Sequence, residues 1–204
     1  VAHIVGSNPA APDLERDLLV VEAMAPDLKV YLESKALYWP LRPRHRAGLP
    51  LPPGTLGGVF LRIHRLRALA DHLDGDQPVR FQEAAGQFEE TLGRYPEQAA
   101  GKMLREVKGR LDGWGRYLEE VAAAPQRYES EYPTQAEGRT VIALLMDALG
   151  ETGERRSFEE QIGRSDAHLR LILEAHPFIW HDSLAAAFPE DRFWWLYGWP
   201  RHPK

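Results

Sequence analysis

The chain has 204 residues, 44% hydrophobic and 27% charged, with a formal net charge of −5, enough for one domain around a continuous core. It contains no cysteine, which excludes disulfides and thiolate chemistry. Its longest aliphatic run, Val141 to Met146, is far short of the ~20 residues of a membrane-spanning helix. The opening VAHIVGSNPAAPD lacks the charged and apolar regions of a secretory signal, so a cytoplasmic protein without membrane association is expected.

Residues 1–12 read as a flexible N-terminus and 13–204 as a single helical domain. Leu14, Leu18, Val21, Ala25, Leu28 and Leu32 alternate steps of four and three behind Asp13, a suitable N-cap. Pro26 should kink or split that helix, because it lacks a donor and crowds the preceding turn. A Pro/Gly-rich loop follows, WPLRPRHRAGLPLPPGT. The second stripe is Leu56, Val59, Phe60, Ile63, Leu66, Ala70 and Leu73, and a third helix is predicted over roughly 78 to 95. Pro96 opens the most regular helix, where Ala100, Leu104, Val107, Leu111, Trp114, Leu118 and Val121 keep a seven-residue repeat.

TQAE at Thr134 to Glu137 and SFEE at Ser157 to Glu160 have the pattern of capping boxes and predict two helix starts. Pro177 should end the second of these helices. No stretch sustains period-two alternation, so no strands are predicted. The expected fold is all-α, a single bundle of about six helices with an aromatic-rich C-terminal tail packed across it.

Catalytic and metal patterns are sparse. No histidine has Asp or Glu three residues before it, so the Glu-x-x-His pairs of di-iron bundles are missing. Walker and dinucleotide-binding glycine patterns do not occur. GRSDA around Ser165 falls inside a predicted helix rather than on a strand-to-helix elbow. The pair His181-Asp182 suits a cap, supplied by Asp182 or Ser183, better than a metal dyad. His64 and His72, like His168 and His176, stand two turns apart, about 12 Å, too far to share an ion. No catalytic residue, metal or cofactor is assigned.

Two surfaces are unusual. Residues 34–70 hold Lys35 and six arginines without any Asp or Glu, a formal +7 that leaves −12 for the rest. Arg42, Arg44, Arg46, Arg62 and Arg65 are candidate anion ligands. The favoured alternative is neutralisation inside the fold by acidic runs such as 74–76, Glu89-Glu90 and Glu119-Glu120. Net acidity and scarce lysine disfavour nucleic acid. The second surface is aromatic: Trp39, Trp180, Trp194, Trp195, Tyr197 and Trp199 cluster at helix ends and in the tail, as core anchors or as a partner-binding patch.

LYWPL, TLGGVFLRIHRLRAL, EVKGRLDGWGRYLEE and FIWHDSLAAAFPEDRFWWLYG together resemble a family of uncharacterised bacterial proteins of similar length. The resemblance implies a single helical domain over most of the chain and transfers no activity. The expected function is a non-enzymatic interaction or scaffold protein that binds a protein partner or itself. The alternative is a binder of, or enzyme acting on, a small anionic or phosphorylated ligand in an inter-helix pocket lined by Arg and His.

Overall fold

The computed structural model describes residues 10–42, 50–150 and 153–201. Among them are seven α-helices and one isolated α-helical turn. The first helix, α1 (Leu14–Met24), starts at Asp13, whose Oδ1 accepts from the Arg16 amide at 2.9 Å. Pro26 acts as expected: a 3-10 turn, Ala25–Asp27, separates α1 from α2 (Leu28–Glu33). The chain then makes a proline-rich excursion whose two ends are joined, Trp39 and Gly54 exchanging backbone hydrogen bonds of 2.9 and 2.8 Å.

Thr55 caps α3 (Leu56–Ala68) through its hydroxyl, which accepts from the Gly58 amide at 3.0 Å. Next come α4 (Gln77–Arg94) and the long α5 (Pro96–Ala123), where proline at the first position costs no hydrogen bond. The α5 seam faces the protein's own core: Val107, Leu111, Trp114, Leu118 and Val121 are buried, and Ala100 and Leu104 half-buried. After the turn α6 (Pro125–Tyr128) come α7 (Tyr132–Ala148) and α8 (Gly153–Ile172).

Neither predicted capping box caps a helix. The N-cap of α7 is Glu131, because Pro133 fits the first turn and the preceding Tyr132 is buried. Thr134 is therefore already helical, as is Ser157 within α8. A capping serine or threonine needs extended backbone, which neither has.

Neighbouring helices run α4, α1, α3, α7, α5 and α8, each packed on the next. Arg80 ties α4 to α1, forking onto Glu22 at 2.8 and 2.7 Å and reaching Glu15 at 3.2 Å. No helix among the described residues is long and apolar enough to cross a membrane.

The tail departs from the helical expectation in one respect. Helix α8 ends before Pro177 and runs into β1 (Leu173–Ala175), which pairs antiparallel with β2 (Gly198–Pro200), Glu174 facing Trp199. Three-residue strands are too short to show a period of two. Between them lie 3-10 turns at Asp182–Ala187 and Trp194–Tyr197. The first is capped by His181, one residue earlier than predicted: its Nδ1 accepts from the Ser183 amide at 3.3 Å.

The aromatic tail does pack across the helices. Phe193, Trp195 and Leu196 are buried, and so is Trp180. Trp195 is the most heavily held. Its Nε1 donates to Thr140 Oγ1 at 3.0 Å, and its carbonyl accepts from the Tyr132 hydroxyl at 2.5 Å. The Arg139 guanidinium lies 4.0 Å from its ring centroid while forking onto Asp166 at 2.9 and 2.8 Å. Trp194, expected as an equal anchor, is half-buried and covered by Arg170 at 3.7 Å.

A fully buried tryptophan truncated to alanine costs ~3–5 kcal/mol. Trp195→Ala should lose stability on that scale in urea unfolding, and the half-buried Trp199→Ala much less. Equal losses would show that Trp195 is not the tail's anchor.

Candidate functional site

Helix α3 disposes of part of the basic segment internally. Arg62 lies 3.4 Å from Asp17 and donates to the Gly58 carbonyl at 2.7 Å. Arg65 bonds Glu137 at 2.9 Å, approaches Asp17 at 4.0 Å and lies over the Trp180 ring at 5.1 Å. Burial pushes the Asp17 carboxyl up despite these two guanidiniums, and it lowers Arg62. Arg62 and Arg65 are thus packed against carboxylates rather than presented to an anion. Of the acidic runs expected to serve, Glu89 pairs with Arg67; Asp17 and Glu137 do the remaining work. Arg42 is exposed, whereas Arg44 and Arg46 lie outside the described residues.

A second charged centre went unpredicted. Glu106 on α5 is 2% exposed. Its Oε1 accepts from Thr55 Oγ1 at 2.7 Å and Arg110 Nε at 2.8 Å, and its Oε2 from the Gly57 amide at 2.9 Å. Two of these donors sit at the start of α3, where free amides and the helix dipole favour an anion. Gly57 permits the approach: a Cβ there would fall 2.2 Å from Val141 Cγ1 and 2.8 Å from Glu106 Oε1.

Beside this centre lies a cleft of about 300 Å³, at the lower end of the ~300–1,000 Å³ typical of small-molecule sites. One wall is a stripe of α5 at helical spacing: Glu106, Gly109, Arg110, Gly113 and Trp114. The opposite wall is the first turns of α7, from Thr134 to Gly138, and Leu37 and Tyr38 form the third side. A Cβ built at Gly109, Gly113 or Gly138 would meet nothing within 4 Å. Each glycine costs the helix ~0.5–1 kcal/mol relative to alanine, and no packing contact requires its absence of a side chain.

Arg110 and Glu137 bring opposite charges to the cleft, with side chains 28% and 44% exposed. Each is held from behind, Arg110 by Glu106 and Glu137 by Arg65. Arg110 Nη1 and Glu137 Oε1 have no partner among the described residues. The Trp114 ring is fixed by packing, stacked on Tyr117 at 5.7 Å.

The Leu37–Tyr38 side is anchored by a buried lysine. Lys102 Nζ donates to the Ala36 carbonyl, and to Ser34 Oγ at 3.2 Å, and sits 4.0 Å from the Tyr31 ring centroid. The Tyr31 hydroxyl donates to the Leu37 carbonyl at 3.0 Å. Burial, with Arg105 repelling nearby, lowers the Lys102 ammonium to about 8.

The other predicted site residues stay apart from the cleft. Trp39 donates to Asp27 Oδ2 at 3.2 Å; the Tyr197 hydroxyl bonds the Phe188 carbonyl at 2.9 Å; Trp199 packs edge-on to Tyr132. His64 is internal, bonding the Ala187 carbonyl at 2.8 Å and lying 4.8 Å from the Phe188 ring. No group of three or more His, Asp or Glu among the described residues could hold a metal ion. The chain matches no protein-family model, curated protein or solved structure with which it was compared.

Two outcomes check this geometry. Gly57→Ala should cost about 1–3 kcal/mol by overpacking, whereas Gly113→Ala should gain roughly 0.5–1 kcal/mol, both read from denaturant midpoints. Lys102 also predicts a pH effect. Its folded value lies below the ordinary 10.5, so the fold pays to hold the ammonium below about 8 and is relieved as pH rises toward 10.5. The Tm of wild type relative to Lys102→Met should therefore rise across that interval. A flat difference would show that Lys102 titrates alike in the folded and unfolded chains.

Proposed function

We propose that this protein binds a small polar molecule in the cleft between α5 and α7, with Arg110 receiving an anionic or hydrogen-bond-accepting group of the ligand. The observation that carries the reading is a formed cleft with three glycines opening onto it and a guanidinium on its wall. It keeps the inter-helix pocket and the anion-directed arginine expected from the sequence. It replaces Arg62 and Arg65, which are spent on Asp17 and Glu137, with Arg110. Among the described residues no histidine, serine or cysteine lines the cleft.

The expectation of a protein partner or self-association rested on the aromatic tail and the α5 seam. Both turn largely inward. The large exposed apolar side chains among the described residues, Val30, Tyr38, Val79 and Leu171, stand on separate elements, as scattered surface residues commonly do. The small-ligand reading therefore has the stronger support.

A ligand that binds only the folded state raises the melting temperature. A thermal-shift panel of small carboxylates, amino acids and phosphorylated metabolites at millimolar concentration should contain at least one compound that raises Tm. Gly113→Leu, whose Cβ would meet nothing within 4 Å and whose side chain would fill the cleft, should abolish that shift while circular dichroism shows the fold retained. A shift that survives Gly113→Leu would place the binding elsewhere, and an inert panel would count against the reading.

A further inference from the structure

We infer that the ligand of this cleft is zwitterionic, carrying the carboxylate and ammonium of a free α-amino acid; the inference rests on the cleft being a binding site. The cleft presents one guanidinium and one carboxylate with donor and acceptor capacity left over, Arg110 Nη1 and Glu137 Oε1. A simple anion would satisfy Arg110 but meet the Glu137 charge, and Glu106 already offsets much of the guanidinium's pull. A simple cation has the converse problem beside Arg110. A molecule with both charges satisfies the two walls at once, and like charges are kept apart.

The backing supports this division of labour. The Arg110 fork turns Nε and Nη2 toward Glu106 and Thr55 and retains Nη1 for a carboxylate. Glu137 spends Oε2 on Arg65 and retains Oε1 for an ammonium. Both groups are pre-oriented by internal partners, which lowers the entropy cost of engaging a ligand. Apart from Glu106, whose oxygens are met by Thr55, Gly57 and Arg110, the remaining side chains are apolar or uncharged: Leu37, Tyr38, Trp114, Thr134 and Gln135. An uncharged aliphatic or aromatic side chain on the amino acid suits these neighbours, and the cleft's volume admits a molecule of that size.

The test uses the full chain with L-phenylalanine and L-leucine, N-acetyl-L-phenylalanine, which lacks the ammonium, and phenethylamine, which lacks the carboxylate. Calorimetry and thermal shift should detect the two free amino acids and neither single-charge analogue at the same concentration. Loss of one charge-assisted hydrogen bond typically costs tenfold or more in affinity. Glu137→Gln should thus weaken L-phenylalanine binding at least about tenfold, and Arg110→Met likewise, with circular dichroism confirming that each variant is folded. If N-acetyl-L-phenylalanine binds as well as the free amino acid, the ammonium contact is wrong although the cleft still binds. If neither amino acid binds while another compound gives a shift abolished by Gly113→Leu, the zwitterion is wrong and the cleft stands. Silence from every compound overturns both.

Discussion

A carboxylate buried in the middle of a helical protein dictates much of what surrounds it. Glu106 is almost without solvent, and an ion so placed costs several kcal/mol unless its lone pairs are met. They are met by a hydroxyl, an amide and a guanidinium drawn from the start of α3 and from α5 itself. That requirement fixes the position of the α3 N-terminus against α5. Because Gly57 sits in the same knot, it also fixes how closely α3 can press on Val141 and Leu145 of α7. Three helices far apart in sequence are therefore set in register by one ionised group.

The tail is a second, separate constraint. Trp195 is gripped through its ring, its indole donor and its backbone carbonyl by Tyr132, Arg139 and Thr140, all on α7. The segment around Trp195 becomes part of the core, and Phe188 and Phe193 beside it shield the α3 residue His64. The rings that suggested a docking surface are largely the device that closes the domain. The arginines of α3 follow the same pattern. Their carboxylate partners come from α1, α4 and α7, so the α3 part of a segment that looks strongly basic along the chain is neutralised where helices meet.

Local signals in the sequence were dependable where the determinant was local. Asp13, Pro26 and Pro96 act through their own backbone neighbours, and each marks a boundary where the periodicity placed it. The TQAE box failed because a cap depends on where the preceding chain is pulled, and Tyr132 is pulled inward by the tail's Trp195 carbonyl. The site was illegible for a related reason. Within α5, Glu106 and Arg110 stand four residues apart; the burial of Glu106 depends on Thr55 and Gly57, about fifty residues away. The available hint was the pair Gly109 and Gly113 inside the most regular helix of the chain. Glycine spaced four apart on one face is a poor choice for helix stability unless the space it leaves is needed.

These constraints explain why the cleft is shaped and stiff rather than a packing fault. Its Arg110 wall is oriented by the same carboxylate that seats α3, its Glu137 wall by an arginine of α3, and its third side by Lys102 and Tyr31 gripping the Ser34–Leu37 backbone. The Arg110 wall is held from within α5 and the other two sides from other helices, and such polar contacts lose more when half-broken than apolar ones do. A gap between loosely packed helices would tend to collapse, since filling it recovers ~20 cal/mol for each Å² of cavity surface. Here collapse would require Arg110 or Glu137 to leave an internal partner. The interactions that stabilise the fold are therefore the same ones that keep the cleft open and its two charges in place.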